Sequence, residues 1–254
     1  MSWFDLLMLL RKHESGVSPL MEAPCISNSI FMCDWLHAVD LGIAQDFVGN
    51  VFKYAVKQKK VDGSNEDLRA GEIFIQLQAW YKRTGCTEKL NNLKKTMLWK
   101  DNKPPKLKAK GAETRGLIPF CEEFCVNNFS TSDEFENTII QAAKRLHACY
   151  VCAKADEFDV STLKRESTMF CILYAALEKT SADSISFRVK PKMHLFQEFT
   201  QNSFGRPTST YRDEDFGGTL ASIGRSKGGH VTPSAMGQRV FVKFMSKNPV
   251  PAIF

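Results

Sequence analysis

The sequence has no long apolar segment. No stretch of its 254 residues approaches the roughly 18 consecutive apolar residues that a membrane span requires. The opening stretch, MSWFDLLMLLRKHE, carries Asp5 inside its apolar run and lacks the basic start of a secretion signal. We therefore expect an intracellular protein, cytoplasmic or nuclear, that is neither secreted nor bound to a membrane.

Cysteine is sparse, with eight residues spread thinly along the chain. Such a distribution is typical of a reducing compartment and does not indicate a disulfide framework. Cys121 and Cys125 form one pair at helical spacing, and Cys149 and Cys152 form another. Two such pairs would bind zinc if their helices met. Free cysteine among apolar helical residues is more often simply buried, and that is the interpretation we favour.

The sequence also lacks the motifs of common phosphate-binding and nucleophilic enzymes. The glycines of GGTLASIGRSKGG follow no predicted strand and lack the lysine and hydroxyl residue of a phosphate loop. No nucleophile elbow occurs, and spacing alone identifies no dyad of cysteine and histidine. Strand signals are confined to NSIFMC and SISFRV. The missing motifs argue against a nucleotide-binding enzyme with a phosphate loop and against a hydrolase with a nucleophile elbow. The sparse strand signals argue against a fold rich in β-structure.

Helical periodicity is what the sequence does have. Apolar residues recur every three or four positions in DWLHAVDLGIAQDFVGNVFKYAV and in LRAGEIFIQLQAWYKRTG, where Gly85 is a C-terminal cap. We expect an antiparallel pair from STSDEFENTIIQAAKRLHACYVCAKADEF, with Thr131 and Glu134 at capping-box spacing, and DVSTLKRESTMFCILYAALEKTS. A helix follows Pro191, and shorter ones are expected in SWFDLLMLLRKH, YRDEDFGGTLASIGRSKGG and SAMGQRVFVKFMSK. The predicted fold is mainly α.

The net charge of +6 is unevenly distributed. Residues 188–254 hold ten basic and four acidic residues, which accounts for the whole surplus. A second basic stretch, KKTMLWKDNKPPKLKAK, covers residues 94–110, and Pro104 and Pro105 make its centre irregular. Its seven lysines are Lys94, Lys95, Lys100, Lys103, Lys106, Lys108 and Lys110. Clustered cations favour a polyanion such as DNA, and a solvated flexible loop is the alternative.

Three short motifs carry groups with chemical potential. Asp34 and His37 in FMCDWLHAVDLG are nearly one helical turn apart, so they share a face and would share a proton, bind a metal ion or cap the helix. The second motif is KPKMH, residues 190–194, and the third is YRDEDFGGTL, in which Glu214 lies within an acidic run. Carboxylates suit magnesium or manganese, but acidic residues also stabilise the positive end of a helix.

In this order, CDWLHAVDLGIAQDFVG, KPKMHLFQEF and DEDFGGTL resemble the C-terminal part of CACTA-type eukaryotic DDE transposases of the CMC superfamily. That family has an Asp-x-x-His element, then a Lys-Pro-Lys-x-His element, then its third catalytic acid. By this resemblance Asp34 and His37 fall on the first element and Lys190, Pro191, Lys192 and His194 on the second, with Glu214, Phe216 and Gly218 on the third.

The resemblance implies an architecture for the whole chain, a single transposase-derived region of residues 1–254. The Asp-x-x-His helix would occupy residues 30–60, and a helical insertion would occupy residues 62–187. Residues 188–254 would be the C-terminal remnant of a ribonuclease H-like α/β domain.

The resemblance also implies a site in which three carboxylates hold two magnesium ions for strand transfer on DNA. Glu214 would be a catalytic acid and metal ligand, and Asp34 is a second candidate ligand. The family's first two aspartates precede the Asp-x-x-His element, whereas Asp5 is the single aspartate among the 33 residues before Asp34. We therefore expect the nuclease to be inactive, with no bound cofactor; magnesium would be required if it were active.

The sequence thus predicts a transposase-derived protein that binds DNA weakly and without sequence preference. The contacts would come from the lysines of residues 94–110 and from Arg225 and Lys227, and they would weaken as salt rises. A second copy or a full-length transposase would be further partners. Two alternatives stay open: a helical protein-interaction module between Thr131 and Ser181, and a metal-dependent strand-transfer enzyme completed by another segment. Whichever holds, Asp34 and His37 are expected to brace the helix beneath the acidic site.

Overall fold

The computed structural model describes residues 34–100 and 102–202, together with the isolated residues 222, 237, 238 and 242. The chain divides into two units, residues 1–208 and 209–254, and the helices described below belong to the first. Every regular element in residues 34–100 and 102–202 is helical, which confirms the mainly α fold. The predicted helix SWFDLLMLLRKH and strand NSIFMC lie outside the described residues, as does most of the predicted α/β remnant and of the two last predicted helices.

A π-helical segment, Leu36–Ala44, leads directly into the first α-helix. The α-helices of the described ranges are α1 (Gln45–Lys57), α2 (Glu66–Thr84), α3 (Lys95–Leu98), α4 (Gly111–Asn128), α5 (Glu134–Lys154), α6 (Val160–Thr180) and α7 (Pro191–Asn202). In the part of the chain that the structure describes, none of them is long and apolar enough to span a bilayer.

The ends of the helices follow local side-chain chemistry. The Asn65 side chain accepts a hydrogen bond from the backbone N–H of Leu68 at 2.9 Å and begins α2, which ends at Gly85 with φ +66° as predicted. The predicted capping box at Thr131 is wrong. Helix α5 begins at Glu134, and its cap is Asp133, whose carboxylate accepts from the N–H of Glu136 at 2.9 Å.

Helix α1 lies at the centre of the unit and is buried on nearly all sides. Helices α2, α3 and α4 pack against it, while the π-helical segment packs against α4 and α7. Helices α5 and α6 form the predicted antiparallel pair. They are joined by the short link of residues 155–159, and Arg145 on α5 donates to the Glu166 carboxylate on α6 at 2.9 Å. Because α1 is enclosed, its few polar residues have to find protein partners.

The predicted strand SISFRV is wrong. Residues 184–187 form a turn, and Phe187 has φ +51°, a left-handed conformation that no strand adopts. The turn is held against α1 because Asn50 accepts the Phe187 N–H at 2.6 Å and Lys53 contacts the Asp183 carboxylate at 2.5 Å. The alternation of apolar and polar residues therefore reflects anchoring to a buried helix and not pairing with another strand.

Candidate nucleic-acid interface

The chain bends at Gly42, where the π-helical segment meets α1. The backbone of Gly42 (φ −114°, ψ −108°) is not helical, and lysines from two distant segments converge on the carbonyl oxygens beside the bend. Lys192 donates to the oxygens of His37 and Leu41 at 2.7 and 3.3 Å, and Lys106 donates to that of Leu41 at 2.9 Å. The Asp-x-x-His and Lys-Pro-Lys-x-His motifs, about 150 residues apart, are therefore in direct contact.

Glycine at this bend leaves room for the Lys192 side chain. A Cβ atom on residue 42 would lie 2.7 Å from Cδ of Lys192 and 3.1 Å from the His37 carbonyl oxygen. A side chain there would displace the lysine that satisfies the two carbonyls. Both residues of the Leu-Gly pair that follows the Asp-x-x-His motif therefore meet Lys192: the carbonyl of Leu41 accepts its hydrogen bond, and Gly42 leaves space for its side chain.

A third lysine joins this group. The Lys190 ammonium pairs with the buried Asp46 carboxylate at 2.8 Å. Burial lowers the pKa of Lys106, and the nearby charges of Lys192 and Lys190 lower it further, while Asp46 opposes them. The three ammonium groups thus share one nearby carboxylate, and the region carries an excess of positive charge.

Asp34 and His37 brace the beginning of the π-helical segment. One carboxylate oxygen of Asp34 accepts from the backbone N–H of His37 at 3.0 Å and contacts the imidazole Nδ1 at 2.5 Å. The same oxygen therefore caps the segment and orients the ring. The pair thus forms a structural contact on the turn whose carbonyl Lys192 binds.

The other residues of the resemblance fall in different places. Pro191 is the first residue of α7, as suits a residue without a backbone N–H. His194 is exposed on α7, and its Nε2 lies 3.9 Å from Glu198. The predicted catalytic acid Glu214, its neighbours Phe216 and Gly218, and the basic residues Arg225 and Lys227 lie outside the described residues.

Metal ligation finds no support in the part of the chain that the structure describes. No group of three or more histidine, cysteine, aspartate or glutamate side chains in it is placed to hold an ion. The two predicted cysteine pairs are buried free thiols, as the favoured interpretation holds: Cys121, Cys125, Cys149 and Cys152. Burial raises the pKa of the Cys125 and Cys149 thiols well above its usual value.

The basic stretch 94–110 is packed against the core and is not the loose loop of the alternative interpretation. Its backbone N–H groups at Lys106, Leu107 and Lys108 donate to the carbonyls of Leu98, Gln45 and Met97 at 2.9, 2.9 and 2.8 Å. Leu98 and Leu107 are buried. Prolines 104 and 105 lie between α3 and α4 in irregular backbone, as predicted.

The lysines of this stretch have different surroundings. Lys95 pairs with Glu66 at 2.7 Å, while Lys94 and Lys110 are exposed. The remaining four line one concave site of about 540 Å³ together with a lysine from the distant motif: Lys100, Lys103, Lys106, Lys108 and Lys190. We call this site the lysine cavity. Its other walls are Gln45, Trp99, Pro104, Leu107 and Ala109, so no acidic side chain of the described residues, among which Asp101 is not included, lines it.

Sequence reasoning missed the polar residues of α1 that assemble this face. Gln45 donates to the Ala109 carbonyl at 2.6 Å, and Asp46 and Asn50 hold residues of the 183–190 segment. All three are buried. A signal was present, since polar residues within an otherwise apolar helix need partners elsewhere in the chain. Nothing in the local pattern identifies those partners.

The chain matches no protein-family model, no curated protein and no solved structure. Its function is therefore inferred from its own geometry.

Proposed function

We propose that this protein binds nucleic acid through the lysine cavity and the surface around it, weakly and without sequence preference. The observation that carries the proposal is that five lysines, from segments about 80 residues apart in the chain, line one concave site, and that no carboxylate of residues 34–100 or 102–202 lines it with them. Lysine ammonium groups bind phosphate oxygens as point charges and carry no sequence information, so affinity without specificity is expected.

The electrostatics of the site favour an anion. Lys100, Lys103 and Lys108 are exposed at the cavity, and in the described ranges none of them forms an ion pair with an acidic side chain. Lys108 donates to the Thr96 carbonyl at 2.9 Å, and Lys106 and Lys190 are also held by internal partners, yet the charges of all three add to the potential there. Clustered positive charge in a concave site attracts polyanions more strongly than the same charges scattered over the surface.

The proposal includes an origin from CACTA-type DDE transposases. It is supported by the order of the three motifs and by the contact of Lys192 with the turn that His37 and Leu41 form. A ribonuclease H-like remnant around Glu214, with magnesium as its metal, belongs to the same proposal. We expect no magnesium-dependent DNA cleavage from the isolated chain. Nicking that disappears in Glu214→Gln would overturn that expectation.

A salt titration tests the binding. Fluorescence anisotropy of a labelled DNA duplex at several salt concentrations gives the slope of log K against log salt, which is about −0.9 for each phosphate neutralised. Three exposed lysines acting together would give a slope of roughly −3, and the double variant Lys100→Gln/Lys103→Gln would reduce it to about −1. The matched control is Lys144→Gln, an exposed lysine on α5 outside the cavity, which should leave the slope nearly unchanged. Absent or salt-independent binding would refute the proposal.

A non-catalytic interaction module is the second candidate, favoured by a separate observation. Val151 on α5 and Ile172 on α6 each expose 56% of their surface, although both helices are otherwise well packed. An amphipathic helix of a partner protein would use exposed aliphatic residues of this kind as its contacts. Ile172→Asp separates the candidates, because it should abolish a protein contact and leave DNA affinity unchanged.

A further inference from the structure

The lysine cavity differs in shape from a surface that follows a nucleic-acid backbone. Its volume of about 540 Å³ falls within the range of about 300–1,000 Å³ that sites for small ligands occupy. A duplex would lie across the mouth of such a space without entering it, whereas one nucleotide or the end of a strand is small enough to enter. The backbone that forms the cavity is fixed, because Leu107 donates to the Gln45 carbonyl and Lys106 donates to the Leu98 carbonyl, both at 2.9 Å.

The polar groups that line the cavity favour an anionic ligand made of hydrogen-bond acceptors. Lys100, Lys103 and Lys108 reach it from one stretch of chain, and Lys190 reaches it from another. Lysines donate hydrogen bonds and accept none, so their complement is a group made of acceptors. Gln45 contributes an amide that is already bonded to Ala109, and the remaining walls are apolar.

Charge distinguishes two classes of phosphate. A phosphodiester within a strand carries one negative charge, whereas a terminal phosphomonoester carries about 1.5 to 2 negative charges at pH 7 and three strong acceptor oxygens. Several lysines that line one cavity gain most from the group with the higher charge density. A cluster arranged along a line would instead favour successive diesters.

We propose that the lysine cavity binds the terminal phosphomonoester of a nucleic-acid strand. This inference rests on the proposed function and adds the part of the nucleic acid that the cavity recognises. Lys100 and Lys103 would contact the phosphate oxygens, and Lys108, which donates to the Thr96 carbonyl at 2.9 Å, would offer them its remaining N–H groups. Lys106 donates to the Leu41 carbonyl and Lys190 pairs with Asp46, so these two lysines would form the inner wall of the cavity and add to its positive potential. The apolar side formed by Trp99, Pro104 and Leu107 would face the terminal sugar and base.

The test compares single-stranded oligonucleotides of one sequence that end in a 5′-hydroxyl, a 5′-phosphate or a 3′-phosphate. Anisotropy titration of the full chain at fixed salt and pH 7.5 should show one of the two phosphorylated ends binding about tenfold or more tightly than the hydroxyl end, as expected for one additional charge-assisted contact. The arm that binds tighter identifies which end is recognised. Inorganic phosphate and a nucleoside monophosphate, added as competitors, show whether the free anion suffices.

Two variants and a matched control locate the preference. Lys103→Gln and Lys100→Gln remove exposed ammonium groups of the cavity and should abolish most of the tenfold preference. Lys94→Gln removes the same charge from the same stretch outside the cavity, and it should weaken all oligonucleotides equally. Because all three side chains are exposed, circular dichroism should show unchanged folding.

The possible results separate this inference from the proposed function. Equal affinity for the three ends, combined with the expected salt dependence, would overturn the terminal-phosphate site and leave general nucleic-acid binding intact. A preference that persists in both cavity variants would also overturn it. Salt-independent or absent binding of the hydroxyl oligonucleotide, with tight binding of the phosphorylated one, would overturn the proposed function and leave a phosphate site.

Discussion

Gly49 provides the sharpest test of how the basic stretch is held. It lies in the middle of α1, where a Cβ atom would stand 2.6 Å from the backbone nitrogen of Leu107 and 2.8 Å from the Cα and carbonyl carbon of Lys106. These neighbours are backbone atoms, so they cannot rotate away as the end of a side chain can. The substitution Gly49→Ala must therefore push residues 106–107 away from α1.

The expected change in the free energy of unfolding is the sum of three effects. Overpacking of this kind costs about 1–3 kcal/mol. Displacement of Leu107 breaks its 2.9 Å hydrogen bond to the Gln45 carbonyl, which contributes about 1 kcal/mol. Replacing glycine by alanine inside a helix returns about 1 kcal/mol. The net expectation is a loss of roughly 1–3 kcal/mol.

Gly71→Ala is the matched control, since Gly71 also lies inside a helix and a Cβ atom added there would meet nothing within 4 Å. At Gly71 only the difference in helix propensity between glycine and alanine applies, so the free energy of unfolding of this variant should rise by up to about 1 kcal/mol. Urea unfolding followed by far-ultraviolet circular dichroism measures both variants. If Gly49→Ala is as stable as Gly71→Ala, the close packing of the basic stretch on α1 is refuted.

Two further predictions concern buried and surface charge. Asp40 is fully buried and accepts a hydrogen bond from Arg115 at 2.9 Å, so Asp40→Asn should lower the free energy of unfolding by about 1–3 kcal/mol in urea titrations; no change would contradict the contact. Hydrogen bonds from Lys57 and Lys95 lower the pKa of Glu66 from 4.5 to about 2. Because the folded pKa lies below the unfolded one, this contribution is present above about pH 4.5 and is lost as the pH falls towards 2. Urea titrations across that range should show a shallower loss of stability in Glu66→Gln, and an unchanged loss would contradict the ion pairs.

The sequence is sufficient for much of the secondary structure because its signals are local. The apolar spacing in α1, α5 and α6 identifies helices, and Gly85 ends α2 through the conformation that glycine alone adopts readily. The burial of the cysteines also follows from their positions on apolar faces. Such signals depend on neighbours within one or two turns, and the sequence displays these directly.

Errors arise where two local solutions compete. Thr131 and Asp133 are both good capping residues, and the helix begins after Asp133. The stretch that contains Phe187 alternates like a strand, yet a hydrogen bond to Asn50 fixes it as a turn. Helix α4 is indicated by little more than the spacing of its cysteines, because it begins at a glycine and contains Pro119. Packing against α1 and α5 stabilises the helical conformation of this segment.

The helical character of the chain, the clustering of its cations and its two histidine-containing motifs can be read from the amino-acid sequence alone. Which lysines are bound inside the fold and which are exposed at the lysine cavity follows only from the folded chain. Lys192 and Lys106 are bound to carbonyls at the bend beside Gly42, whereas Lys100 and Lys103 face the lysine cavity. The physical reason is that an ammonium group is held by whichever acceptor the folded chain brings to it. That acceptor can lie 155 positions away in the sequence.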